Sequence, residues 1–245
     1  MNRSLAALCL LFLTVCAFSQ TQESKSSPVP DDLASIHQLL ASPKHITWLF
    51  TGDSITQGAK WTVGARPFSE IFSERIRWEL SRPHDLVINS GVSGNRTPDL
   101  LNDFDWRVAH LHPDVVFVMF GMNDCTAATA GEAAFRDHIQ EIVTRIRQLG
   151  AIPILETTNP ILGDPHRDTL ATYNEITRQV AAKDHTILVD NWSYWQQHRT
   201  AEDLHEWMAN AVHPNAQGHA QIAGEIFRVL GISDPASPMV QLAVP

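Results

Sequence analysis

The sequence predicts a single α/β domain built on a parallel sheet of five strands, and three observations carry that prediction. Short apolar runs alternate with longer stretches of helical period, the pattern of βαβ units. The runs are apolar on both faces, as strands covered by helices on each side must be. The roughly 225 residues that follow an N-terminal leader fit one large core, which can grow to about 250 residues before chains usually split.

Residues 1–19 read as an export signal. Arg3 supplies a positive start, residues 5–18 form an apolar run of 14, and Ala17-Phe18-Ser19 places small residues at both cleavage-reading positions. A membrane anchor is the competing reading, but a helix needs about 20 residues to cross a bilayer. Leu13-Thr14-Val15-Cys16 faintly resembles a lipoprotein cleavage box, with bulky Val15 where a small residue is expected. The expectation is a secreted or periplasmic protein with no stable membrane insertion once the signal is removed. Residues 20–35 read as a flexible linker, because Ser26-Ser27-Pro28 and Pro30-Asp31-Asp32 are too poor in apolar side chains to join a core. The domain then spans residues 36–232. Residues 233–245, with Pro235, Pro238 and Pro245 and no regular period, read as a surface tail.

Within the domain the expected strands are residues 46–51, 86–89, 115–120, 152–156 and 186–189. Phe68, Phe72, Ile76 and Leu80 recur every four residues, and Phe135, Ile139, Ile142, Val143, Ile146 and Leu149 form a second helical stripe. A last stripe through Ile222, Ile226, Val229 and Leu230 ends at Gly231, a C-terminal stop. Of three cysteines, Cys9 and Cys16 lie in the signal, which leaves Cys125 and no internal disulfide. Without the signal the chain has 17 basic and 27 acidic residues, a formal charge of −10 that argues against nucleic acid or anionic lipid as a partner.

In an open parallel sheet, functional groups gather beyond the carboxyl ends of the strands. There the first strand runs into Gly52-Asp53-Ser54-Ile55-Thr56, the second into Ser90-Gly91-Val92-Ser93-Gly94-Asn95, and the third into Gly121-Met122-Asn123-Asp124. A serine hydroxyl is a weak nucleophile until a base takes its proton, so Ser54 needs a histidine delivered by another loop. Taken alone, Gly-Asp-Ser is weak evidence, since such a tripeptide is common in turns and helix caps. Asn123 can donate its side-chain amide to a developing oxyanion, and Gly121 lets the backbone turn sharply; the bland alternative is a turn. Gly94 likewise reads either as a positive-φ residue or as a backbone donor. With Ser54 and Gly94 giving N–H groups and Asn123 its amide, an oxyanion hole is complete, and loss of one such donor costs on the order of 100- to 1,000-fold in turnover.

Twelve histidines compete for the base. His213 stands out because Pro214 opens a turn just before the last helix, letting its ring project from a loop. His219 falls inside that helix and reads as a packing or capping residue. The spacing of His205, His213 and His219 matches no compact zinc pattern.

Gly52-Asp53-Ser54, Gly94, Gly121-Met122-Asn123-Asp124 and His213-Pro214-Asn215 follow the order of four blocks, and on them the chain resembles the SGNH (GDSL-type) hydrolases over about residues 51–218. The resemblance implies a flavodoxin-like three-layer α/β/α sandwich and hydrolysis of esters, often of acyl groups on carbohydrates or lipids. It implies neither a metal nor an organic cofactor. One departure matters: the family carries Asp three residues before the histidine, and this chain carries Asn210. An Asn oxygen can still accept the ring N–H, but it supplies no charge. If residues 201–210 are helical, Asp203 and Glu206 share the face of Asn210 and either could supply it.

The expected activity is acyl transfer from a small-molecule or polysaccharide ester, through an acyl-enzyme on Ser54 with His213 as base, oriented by Asn210. Trp61, Arg66, Trp192, Tyr194 and Trp195 lie in or near loops and would suit a sugar ring or acidic polysaccharide; rim packing is their alternative. A carbohydrate O-acetylesterase is the favoured reading. A lipid or simple-ester hydrolase, and a weakly active carbohydrate-binding protein on a hydrolase scaffold, are its rivals.

Overall fold

A computed structural model describes residues 31–58, 60–126, 131–163, 166–198, 200 and 203–238. The expected signal, residues 20–30 of the expected linker and residues 239–245 of the expected tail lie outside them.

Helix α1 (Asp32–Ala41) opens on Asp31, whose carboxylate accepts the Ala34 amide at 2.9 Å. Its start corrects the linker boundary, since residues 32–35 are helical. Asp32 is buried against Arg147, whose two terminal guanidinium nitrogens donate to it at 3.1 and 2.7 Å, and Ile36 enters the core. An ion pair, together with Leu33 packed against the core, joins this polar stretch to the domain.

The chain continues through β1 (Thr47–Gly52), α2 (Ser54–Gln57), α3 (Phe68–Glu74) with a π-helical continuation Arg75–Glu79, β2 (Leu86–Asn89), α4 (Thr97–Asn102), α5 (Phe104–Arg107) and β3 (Val115–Met119). Then follow α6 (Gly131–Gln148), β4 (Ile152–Glu156), α7 (Arg167–Lys183), β5 (Ile187–Val189), α8 (Asn191–His198) and α9 (Ala216–Val229). Every strand lies within one residue of its expected bounds.

All four pairings are parallel, in the order β2-β1-β3-β4-β5, with helices on both faces. Helix α3 packs against α9 in one layer and α6 against α7 in the other. The three-layer α/β/α sandwich is therefore the observed fold. Phe50 of β1 stacks on Phe117 of β3 with ring centroids 4.2 Å apart, and Phe68 and Phe72 meet Phe50 edge-on. Such aromatic pairs add about 0.5–1.5 kcal/mol each beyond the apolar area they bury. Strand β2 departs from the expectation of two covered faces: as an edge strand it leaves Leu86 58 % exposed. The expected surface tail also begins inside the fold, because Ser237 is buried and its hydroxyl donates to Glu79 Oε2 at 2.6 Å. Among the described residues no helix is long and apolar enough to cross a membrane.

The register sets the site. Gly52 pairs with Met119, Met119 with Glu156, and Glu156 with Val189, so four strands end in one row. The strand order reverses between β1 and β3, which makes the space beyond their carboxyl ends the switch point where such sheets bind ligands.

Candidate active site

Ser54 is placed by a sharp strand-to-helix turn. A Cβ on Gly52 would lie 2.2 Å from Thr56 Oγ1 and 2.6 Å from the Met119 carbonyl oxygen, so only glycine lets α2 fold back this closely. Asp53 caps α2 by accepting the Ile55 amide at 2.9 Å. Ser54, the first helical residue, has its Oγ 2.9 Å from His213 Nε2.

His213 comes from the loop between a 3-10 turn (Leu204–Trp207) and α9. That loop is pinned by a bridge between Met208 and Pro214 and by the Ala209 amide donating to the His213 carbonyl at 2.8 Å. Asn210 Oδ1 accepts the backbone amides of Val212 and His213, both at 2.9 Å, and lies 3.1 Å from His213 Nδ1. Two backbone donors require an oxygen at that position, so Nδ1 carries the ring proton and the Nε2 lone pair faces Ser54. Burial first, and then the positive charge of Lys60, lower the His213 pKa from 6.5 to about 4.

The condition of a helix over residues 201–210 is not met: the described part of this stretch holds only the single 3-10 turn, and Met208 is already extended. The shared face that would aim Asp203 and Glu206 at Asn210 is therefore lost. The Asp203 carboxylate accepts the Thr200 hydroxyl at 2.8 Å, and Glu206 is exposed.

Gly94 has φ +81° and is the third residue of a turn closed by the Asn95 amide donating to the Val92 carbonyl at 3.1 Å, a place that strongly favours glycine. Gln57 of α2 holds the turn by accepting the Ser93 amide at 3.1 Å. The Asn123 amide donates to the Asn95 carbonyl at 3.0 Å and to Asp53 Oδ2 at 3.3 Å. Burial, with a further contribution from the charge of Asp124, raises the Asp53 pKa to about 7. The structure thus brings Ser54, Asn123, Asn210 and His213 into one hydrogen-bonded neighbourhood at the switch point, with the Gly94 turn tied to it.

Sequence reasoning missed Arg107, the buried last residue of α5. Its guanidinium donates to the Ser90 carbonyl at 2.8 and 3.1 Å, to Asn95 Oδ1 at 2.6 Å and to the Gly52 carbonyl at 3.2 Å. It ties the ends of β1 and β2 to the Gly94 turn. Within Asp103-Phe104-Asp105-Trp106-Arg107 it reads as an ordinary surface charge, and no local signal marks it.

The aromatic residues divide. Trp61 stacks on the His213 ring with centroids 4.1 Å apart and planes 19° from parallel, and Lys60 Nζ lies 4.6 Å from the indole centroid. Trp192 and Trp195 are corrected to core residues: they lie on α8, 7 % and 0 % exposed, with Trp195 edge-on to Trp207. Tyr194, half-buried, packs on Trp207 and donates its hydroxyl to Gln221 at 2.9 Å. Arg66 is paired with Glu74 of α3. His219 packs as expected, buried and stacked on Phe68, with Nδ1 accepting the Phe68 amide at 3.3 Å. A cleft of about 410 Å³ lies between α3 and the edge strand β2, lined by polar side chains such as Gln57, Ser69, Glu70 and Asn89 together with Pro67 and Val87; neither Ser54 nor His213 lines it.

The sequence pattern of the GDSL-like lipase/acylhydrolase family matches residues 50–221. The chain is 28 % identical over 170 residues to the uncharacterized lipoprotein YqeF of Bacillus subtilis (strain 168), covering 59 % of this chain and 70 % of that protein. It is 25 % identical over 207 residues to an acetylxylan esterase of Geobacillus stearothermophilus, covering 75 % and 93 %. A solved variant of Axe2, an acetyl-xylooligosaccharide esterase from the same species, shares the fold with a TM-score of 0.68 at 22 % identity over 77 % of this chain and 95 % of its own. LAE5, an alpha/beta hydrolase enzyme from the metagenome of Lake Arreo in Spain, gives a TM-score of 0.65 at 25 % identity, covering 77 % and 96 %. Fold, blocks and family pattern agree, and the chain belongs to the GDSL-like lipase/acylhydrolase family of carboxylic ester hydrolases.

Proposed function

We propose that this chain is an exported esterase that removes acetyl groups from carbohydrate through an acyl-enzyme on Ser54, with His213 as general base. The carrying observation is the 2.9 Å contact between Ser54 Oγ and the unprotonated Nε2 of His213. Ser54 Oγ attacks the ester carbonyl carbon while its proton passes to Nε2. The oxyanion is received by the N–H groups of Ser54 and Gly94 and by the Asn123 amide, whose longer bond, to Asp53, is the one it would replace. Collapse breaks the bond to the alcohol oxygen, which takes the proton from Nε2. Water then attacks the acyl-enzyme by the same route and releases the acid. Asn210 holds the ring in the tautomer both steps need.

The carbohydrate reading is supported by the similarity to an acetylxylan esterase. Export is supported by residues 1–19 and by the similarity to a lipoprotein. A lipid-ester hydrolase is the second reading, favoured by Val63, 91 % exposed, and Val92, 41 % exposed, on the segments that carry Trp61 and Gly94.

Acetate release from a small acetyl ester by the native chain and by Ser54→Ala tests the chemistry: the variant is expected to lose at least about 1,000-fold. Equal rates would leave only a binding protein. Acetylated xylo-oligosaccharide compared with a long-chain acyl ester tests the substrate, and faster turnover of the long-chain ester would overturn the carbohydrate reading.

A further inference from the structure

Deepening that reading and resting on it, we propose that the indole face of Trp61 stabilises the imidazolium of His213, taking over part of the work that a carboxylate does in an Asp-bearing triad. Acyl transfer places a full positive charge on the ring each time Nε2 takes the serine proton. The group at Nδ1 is the amide of Asn210, which offers a dipole and no charge. Trp61 lies nearly parallel to the ring, with centroids 4.1 Å apart and planes 19° from parallel, so the negative face of its π system meets the ring where the charge develops.

The contact is built. The Trp61 amide donates to the Gly58 carbonyl at 3.1 Å, and the Thr62 hydroxyl donates to the Ala65 carbonyl at 2.5 Å. Between them Val63 sits at φ +53°, a conformation that β-branched residues rarely adopt. Other groups act on the same ring. Ser54 Oγ of α2 meets Nε2, Asn210 holds Nδ1, and Lys60 opposes protonation from beside the indole. His219 of α9 is close enough that its own protonation is opposed by His213. Asp203, just before the 3-10 turn, and Glu206 within it are the acids nearest in sequence. Trp61 and Lys60 therefore pull the charged ring in opposite directions.

Fluorinated tryptophans introduced at position 61 by nonsense suppression weaken the π face while keeping its shape and cover. Across mono-, di- and trifluoro rings, kcat on a small acetyl ester is expected to fall progressively, by roughly 3- to 30-fold in all. KM should change less than about twofold, and the His213 pKa measured by NMR should fall in step. In an Asn210→Asp background the same series should flatten to within about threefold, because a carboxylate then carries the charge. A flat kcat and pKa in the native background, or a change confined to KM, would overturn the proposal and leave Trp61 as packing or as a substrate contact. Ser54→Ala separates the two levels. If it keeps its rate, the esterase reading itself fails; if it is inactive while the fluorine series is flat, only the role of Trp61 fails.

Discussion

At position 210 an amide stands where the family resemblance implies a carboxylate, and the two tasks of that carboxylate come apart. Orientation survives, because Asn210 Oδ1 is held toward the ring by the amides of Val212 and His213. Charge does not survive, and His213, with its pKa lowered to about 4 by burial and then by Lys60, is a reluctant base. The free enzyme needs the ring neutral, so kcat/KM should lose activity only near pH 4, below the usual histidine value of 6.5. Asn210→Asp is expected to move this acid limb upward by at least about one unit and to raise kcat at least about tenfold, given the ~10⁴ that the reverse change costs in serine proteases. A pH-rate profile identical to the native one would show that orientation alone suffices. Lys60→Gln should move the limb upward by a fraction of a unit, since it removes a repelling cation and leaves the burial of the ring in place.

Among the elements, the loop after β2 is the least self-sufficient part of the site, and Arg107 is its support. The guanidinium serves four backbone or side-chain acceptors, the Ser90 and Gly52 carbonyls, Asn95 Oδ1 and Thr51 Oγ1, with no carboxylate among them. Arg107→Gln should leave several of these buried acceptors unpaired, costing about 2–4 kcal/mol, or roughly 5–15 °C in Tm. It should also lower kcat more than it raises KM, because the Gly94 turn drifts from the oxyanion position. Lysine should not rescue it, since a single ammonium cannot span the fork. Thermal unfolding and steady-state kinetics of the two variants check both statements; native kinetics in a destabilised Arg107→Gln would confine the residue to folding.

For the molecule as a whole, the buried carboxyl groups of Asp53 and Glu156, buried His219 and half-buried His213 set opposing slopes of stability with pH. Burial raises Asp53 from 3.8 to about 7 and Glu156 from 4.5 to about 8, so between those values the folded chain holds more protons than the unfolded one. Their contribution therefore falls as pH rises. His213 and His219 are lowered from 6.5 to about 4 and about 3, and theirs rises with pH until 6.5. The slopes offset below pH 6.5. From 6.5 to 8 the carboxyl groups act alone, and stability should drop by on the order of 2 kcal/mol. Most of that drop belongs to Glu156, so Glu156→Gln should flatten Tm across this range. A native Tm that is level from pH 6.5 to 8 would show that the Glu156 carboxyl is not kept protonated by its burial.

The sequence by itself determined the sheet, its parallel sense and the strand ends where chemistry collects, because apolar period and glycine-rich strand ends are local properties written in spacing. It also singled out Ser54 and His213 through motif order. Tertiary structure alone decided what lies around them. Trp61 faces the base while Trp192 and Trp195 turn inward, because α8 docks its tryptophans into the core and no local period announces that face. Asp32 is held against the domain by a partner 115 residues away, and Arg107 gained its role from carbonyl groups 17 and 55 residues away. Such contacts arise only when separate segments dock, since a side chain's partner is chosen by three-dimensional packing and leaves no mark on its neighbours in the chain.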